Sequence, residues 1–159
     1  IRGLGVTIAS ARFRDAHPPQ DIAYGPHPRQ RLDLFWPIDA PRGVLVFVHG
    51  GYWMAFGRES WSHLAGGALA RGWACAMPSY RLAPQVSLAD MTRDVASAVL
   101  KAAALVKGPV VVTGHSAGGH LAGWLAGRGR LPEGAPGANP VVPLSGFVSQ
   151  AGVLDLQLA

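Results

Sequence analysis

The chain has little of what several common functions require. One cysteine in 159 residues, Cys75, excludes an internal disulfide. In the apolar setting "WACAMPSY" it reads as a small buried hydrophobe rather than a nucleophile. Only two of the 14 basic residues are lysines, and the twelve arginines are scattered from Arg2 to Arg130 without a run. A nucleic-acid face built on clustered charge therefore has little support, despite a net charge of +5. No apolar stretch is long enough to span a bilayer. No group of His, Cys, Asp and Glu has metal-ligand spacing. The N-terminus begins at Ile1 and lacks the charged-then-apolar pattern of a secretory signal. These absences leave, as the default, a cytoplasmic protein without metal, cofactor, nucleic acid or membrane.

What is present is apolar and patterned. With 49% hydrophobic and 14% charged residues, the chain can bury one core, so one domain is expected. Residues 1–19 have weak periodicity and read as an N-terminal arm or irregular lead-in ahead of that domain, residues 20–159. "DIAYG" and "RLDLFWP" read as two short strands, the second near a sheet edge. "GVLVFVHGG" contains a continuous apolar run, Val44 to Val48, the mark of a strand covered on both faces. Ser60 to Arg71 reads as a helix stopped by Gly72, with Gly66 and Gly67 excused by close packing. "ACAMPSY" is another buried strand. Ser87 opens a helix with Asp90 as its capping-box partner and a stripe of Leu88, Met91, Val95, Val99 and Ala102. Val110–Thr113 is a strand, followed by a helix to about Gly127, a Gly/Pro loop "GRLPEGAPGANP" and a last strand within Leu144–Gln150. Strands alternating with helices predict an α/β fold: a mostly parallel sheet with helices on both faces.

Two glycine-rich turns sit at strand ends. Gly114-His115-Ser116-Ala117-Gly118 fits G-x-S-x-G, a nucleophile elbow, and has the strand before it and the helix after it that this motif requires. The turn pushes a hydroxyl out over the carboxyl edge of the sheet. It also places it at a helix N-terminus, where free N–H groups favour developing negative charge. The other turn is "FVHGGYW", in which His49-Gly50-Gly51 follows the Val44 strand. Adjacent glycines let the backbone turn N–H groups into a cavity. The N–H groups of Gly51, Tyr52 and Ala117 are thus candidate oxyanion donors, and Ser116 the candidate nucleophile. An ordinary glycine turn with a bystander serine is the bland alternative for each.

With these residues in view, the sequence resembles an α/β-hydrolase of the esterase/lipase type with a His-Gly-Gly oxyanion loop. "HGGYW", "PSYRLAP" and "GHSAGGHLA" are most similar to the kynurenine formamidase-like and small carboxylesterase branch, and "YGPHPRQRLDLFWP" resembles that branch's opening hairpin. The resemblance runs from about Asp21 to about Gly127, and more weakly on to Asp155. It implies Ser116 as nucleophile, oxyanion donors from Gly51, Tyr52 and Ala117, and His49 with Gly50 supporting the loop. The implied substrate is a small-molecule ester or an aryl formamide.

A serine hydroxyl needs a base, and in this fold the order is Ser, then Asp or Glu, then His. After Ser116 the sequence offers only Glu133, Asp155 and His120. His120 lies on the first turn of the same helix and is poorly placed to face the hydroxyl from across a cleft. Asp155 follows the sixth strand, one strand earlier than the resemblance implies for the acid. Six strands are legible where the resemblance implies eight, so the expectation is the N-terminal part of a hydrolase domain, with acid and base beyond residue 159. Such a chain would leave a sheet edge unpaired and favour aggregation or a homo-oligomer. Two functions remain open: a serine hydrolase acting through an acyl-enzyme, and a non-catalytic binding module on a degenerate hydrolase fold.

Overall fold

The structure is a computed structural model that describes residues 2–132, 142 and 144–156. In chain order it has helix α1 (Arg2–Ala16), strands β1 (Gln20–Ala23), β2 (Arg31–Phe35) and β3 (Val44–Val48), a 3₁₀ segment Arg58–Ala65 running into the short helix α2 (Gly66–Leu69), strand β4 (Ala74–Pro78), helix α3 (Leu88–Leu105), strand β5 (Val110–His115), helix α4 (Ala117–Gly127) and strand β6 (Gly146–Gln150). The six strands form one sheet in the order β1-β2-β4-β3-β5-β6. The first two pairings, β1 with β2 and β2 with β4, are antiparallel. The β4, β3, β5 and β6 strands run parallel. The expected mostly parallel sheet is present.

Side chains alternate across this sheet as the two-residue strand period requires. Val44, Val46 and Val48 of β3, with Val110 and Val112 of β5, face α3 and α4 and join their apolar stripes: Met91, Val95, Val99 and Ala102 from one, Leu121 and Leu125 from the other. Phe47 of β3 and Phe35 of β2 face the other way, onto Ala65 and Ala68, with Phe13 of α1 and Trp61 packed alongside. Helices therefore cover both faces. The capping box of α3 is present: Ser87 Oγ accepts from Asp90 N–H, and the Asp90 carboxylate accepts from Ser87 N–H. Cys75 is fully buried, and burial pushes its thiol up to about 12, as fits a core residue.

Three details differ from the sequence reading. Residues 2–16, for which no regular element was expected within an arm or irregular lead-in, form α1. It has no clean apolar stripe, and what holds it is tertiary: Ser10 Oγ donates to Ser60 O at 2.8 Å, and Arg14 pairs with the buried Asp33 of β2. The segment expected to be one helix from Ser60 begins as a 3₁₀ turn at Arg58 and has only four α-helical residues. Propagation through the Gly66-Gly67 pair is weak. A Cβ on Gly66 would meet the Phe13 ring at 3.3 Å, but Gly67 has nothing within 4 Å, so close packing explains only the first. The Gly/Pro loop expected over 129–140 lies mostly outside the described residues, as does Glu133. At the far side, β6 pairs among the described residues with β5 alone, and Phe147 and Val148 are exposed. Among the described residues no helix is long and apolar enough to cross a membrane.

Candidate active site

The connections out of β3 and β5 diverge. From β3 the chain goes to β4, and from β5 to β6, on opposite sides. The carboxyl ends of these neighbours therefore flank the point where the topology switches direction, the place where open α/β sheets bind ligands. Both glycine turns are there. Val48, the last residue of β3, is in register with Gly114 of β5. The His49-Gly50-Gly51 turn and the Ser116 elbow then leave the sheet side by side.

The elbow is strained as its motif requires. Ser116 has φ 55° and ψ −118°, outside the regions an L residue ordinarily occupies. Its N–H donates to Gln150 O of β6 at 2.9 Å, and its carbonyl accepts the first N–H of the helix, from His120, at 3.1 Å. The flanking glycines are steric necessities. A Cβ on Gly114 would lie 2.2 Å from Gly118 O, and one on Gly118 would lie 2.0 Å from Val48 O. The second contact presses the first turn of α4 onto the end of β3. Gly50 completes the junction, since its Cβ would lie 2.7 Å from His115 O.

The loop after β3 is equally constrained. Gly51 has φ 124°, and Tyr52, Trp53 and Phe56 have φ of 54°, 60° and 69°. Gly51 O accepts from Met54 and Ala55 N–H at 3.0 Å each, which turns the chain back on itself. The N–H groups of Gly51, Tyr52 and Ala117 hydrogen-bond no described residue. They are unspent donors on two loops that meet at one sheet edge, and Ala117 is the first residue of α4, where the helix dipole adds positive potential.

His49 is buried beneath the loop. Its Nδ1 and Gly50 O are 2.7 Å apart, its ring stacks on Tyr80 at 4.5 Å between centroids, and burial lowers its pKa to about 4. It is a neutral strut. Tyr80 O–H donates to His49 O at 2.9 Å, a support the sequence reading did not assign, although Tyr80 lies within "PSYRLAP". His115, the elbow's middle residue, lies near the Trp61 ring at 6.0 Å. His120 is buried edge-on to Trp53, 5.5 Å between centroids, and burial lowers its pKa too. His120 and Asp155 line one groove of about 680 Å³ along α4. Neither hydrogen-bonds Ser116 Oγ, and no other described side chain does. Among the described residues there is no cluster of His, Cys, Asp and Glu that could hold a metal.

The parallel core with its two antiparallel leading strands and a serine on the strand-to-helix turn after β5 is the α/β-hydrolase fold. The chain belongs to the BD-FAE family, whose model matches residues 32–133. The isoprenylcysteine alpha-carbonyl methylesterase ICME of Arabidopsis thaliana is 34% identical over 124 residues, 72% of this chain and 29% of that protein. Kynurenine formamidase of Salmo salar is 28% identical over 66% of this chain and 37% of its own length. A solved structure from Silicibacter sp. TM1040, described provisionally as a thioesterase, is 40% identical with a TM-score of 0.84, covering 98% of this chain and 58% of that one. The esterase-type resemblance and the kynurenine formamidase likeness are both borne out. The chain spans well under half the length of these curated relatives.

Proposed function

We propose that these residues form the nucleophile and oxyanion portion of a serine hydrolase that cleaves small carboxylic esters, with an aryl formamide as the second candidate substrate. In this reading Ser116 Oγ attacks the substrate carbonyl carbon as a base takes its proton. The carbonyl oxygen becomes an oxyanion held by the N–H groups of Gly51, Tyr52 and Ala117. Collapse expels the alcohol or amine, which takes up the proton, and leaves an acyl-Ser116 ester that water hydrolyses by the same steps. In this reading the base and its carboxylate partner come from outside the described residues. The observation that carries the reading is the backbone of Ser116, held at φ 55° at a helix N-terminus on the topological switch point. Strain of this kind persists where the surrounding fold enforces it and clusters at functional sites. The name of the plant relative favours an ester, and that of the Salmo salar relative a formamide.

The lack of a hydrogen-bonded partner on Ser116 Oγ among the described residues favours a second reading for residues 1–159 in isolation, binding without turnover. One experiment separates the two. A fluorophosphonate should label Ser116 rapidly in the full natural chain and slowly or not at all in residues 1–159. In the full chain Ser116→Ala should abolish labelling and lower kcat on a short aryl ester by several orders of magnitude, because triad members act as a unit. Most of the esterase activity surviving in that variant would reject Ser116. Rapid labelling of residues 1–159 would put a base within them, with His120 the first to test. Comparing kcat/KM on a short aryl ester and on a formylated aryl amine decides the substrate class.

A further inference from the structure

Arg29 belongs to none of the site motifs. It sits in the turn between β1 and β2, and its side chain reaches across to two other segments. Its Nε donates to Tyr80 O at 2.7 Å and its Nη2 donates to Phe56 O at 2.5 Å. Both acceptors belong to the machinery around the β3 loop. Tyr80 holds the start of that loop, by its hydroxyl on His49 O and its ring against the imidazole. Phe56 closes the other end, where its ring packs over Gly51 so tightly that a Cβ on Gly51 would lie 2.8 Å from Phe56 Cδ2. One planar guanidinium thus bonds the last residue of this segment directly and reaches its start through Tyr80, in a stretch where Tyr52, Trp53 and Phe56 all carry positive φ.

The base of this strap is itself fixed. Arg29 N–H donates to His27 Nδ1 at 3.1 Å. The neighbouring Gln30 donates to the buried Asp94 of α3 at 2.8 Å, and Arg81 occupies the same carboxylate. The turn carrying Arg29 is therefore anchored to the helix layer. Apart from Trp53, which is buried in the core, the loop gains little from apolar burial, since Tyr52, Met54 and Phe56 are all exposed.

We propose that Arg29 is a positioning residue: its fork holds the 51–56 loop in the conformation that presents the Gly51 and Tyr52 N–H groups. The inference rests on the reading of that loop as an oxyanion site. A guanidinium spans two carbonyls in fixed geometry, whereas a lysine ammonium is a point donor, so Arg29→Lys keeps the charge and loses one tie. In the full natural chain Arg29→Ala should lower kcat on a short aryl ester roughly 10–100-fold, the effect of a small misplacement of reacting groups. KM should stay within a factor of about two, because ground-state binding is left alone. Arg29→Lys should fall between. Ethylguanidinium, but not ethylammonium, should restore part of the lost kcat to Arg29→Ala. Arg31→Ala, which removes only an exposed pair with Asp21, is the control.

Amide hydrogen exchange in Arg29→Ala gives the readout that does not depend on turnover. Amides of residues 51–56 should exchange at least about tenfold faster while those of β3 and β5 are unchanged, the pattern of local opening. Wild-type kcat in Arg29→Ala would overturn the proposal. So would faster exchange spread equally through β3 and β5 without guanidinium rescue, because Arg29 would then be a general stabiliser. If the full natural chain shows no Ser116-dependent turnover, the hydrolase reading fails, and exchange over 51–56 alone decides whether Arg29 holds the loop.

Discussion

Replacing Ser116 with glycine should leave the protein more stable than replacing it with alanine, the reverse of the usual order. The backbone there, at φ 55° and ψ −118°, lies in a region where a Cβ is costly, and such conformations are worth roughly 1–3 kcal/mol of strain. Alanine keeps the Cβ and the strain; glycine removes both. Against this, glycine gives the unfolded chain extra freedom worth about 0.5–1 kcal/mol. The hydroxyl itself has no hydrogen-bond partner among the described residues, so its loss is common to both variants and cancels. The glycine variant should therefore come out ahead by roughly 0–2.5 kcal/mol, centred near 1. With a urea slope of roughly 1–3 kcal/mol/M, a difference of about 1 kcal/mol moves the midpoint by roughly 0.3–1 M. Equilibrium urea unfolding of the two variants, read by tryptophan fluorescence, measures it directly. A glycine variant less stable than the alanine variant by about 0.5 kcal/mol or more, as at an ordinary position, would show that the Ser116 backbone is not strained in solution.

Gly118→Ala should destabilise by about 2 kcal/mol or more despite alanine's better helix propensity, because the new methyl would lie 2.0 Å from Val48 O and 2.6 Å from His49 O, backbone atoms that move only with β3. Gly67→Ala, with nothing within 4 Å, should instead gain up to about 1 kcal/mol; urea midpoints of the pair test the contrast. Burial lowers His49 from 6.5 to about 4, so below pH 6.5 the unfolded chain takes up a proton that the folded chain refuses. That contribution to stability is complete above pH 6.5 and is lost as the pH falls towards 4, at up to about 1.4 kcal/mol per pH unit. His120, also lowered by burial, adds the same sign, so the measurement is the difference in stability–pH slope between wild type and His49→Asn, which should be shallower in the variant.

Local pattern made most of the fold legible. The Val44 and Val110 runs, the Ser87 capping box and the Met91–Val95–Val99 stripe each encode their element in neighbouring residues, and each is where the sequence placed it. Helix α1 was not legible because its stability is not local. It depends on Ser10 reaching Ser60 and on Arg14 reaching Asp33, and Asp33 is of a residue type seldom buried. It is fully buried instead, between Arg14 and Arg58. The site divides the same way. Gly114, Gly118, Gly50 and Gly51 stand out because a missing side chain leaves a mark in the sequence. Tyr80 and Arg29 leave none, since each acts on a carbonyl 27 to 51 residues away.

The two halves of the site are held by different physics. The elbow is clamped by the sheet itself: β5 lies between β3 and β6, Ser116 N–H is bonded to Gln150 O, and Gly118 is wedged against Val48. Loosening it means opening the central sheet, at close to the full stability of the domain, roughly 5–15 kcal/mol. The 51–56 loop carries three positive-φ residues, worth roughly 1–3 kcal/mol of strain each. Against that strain stand a few polar ties, Ala83 N–H to Trp53 O and Arg29 to Phe56 O within the loop and Tyr80 to His49 O just ahead of it, and the burial of Trp53. A net hydrogen bond contributes about 0.5–1.5 kcal/mol, somewhat more from a charged donor. The balance in the loop is therefore close to even, while the elbow is far from its limit. Mild denaturant or acid should accordingly free the Gly51 and Tyr52 amides well before Ser116 moves. Ser116 would keep its place at the helix N-terminus after two of the three candidate oxyanion donors had lost theirs.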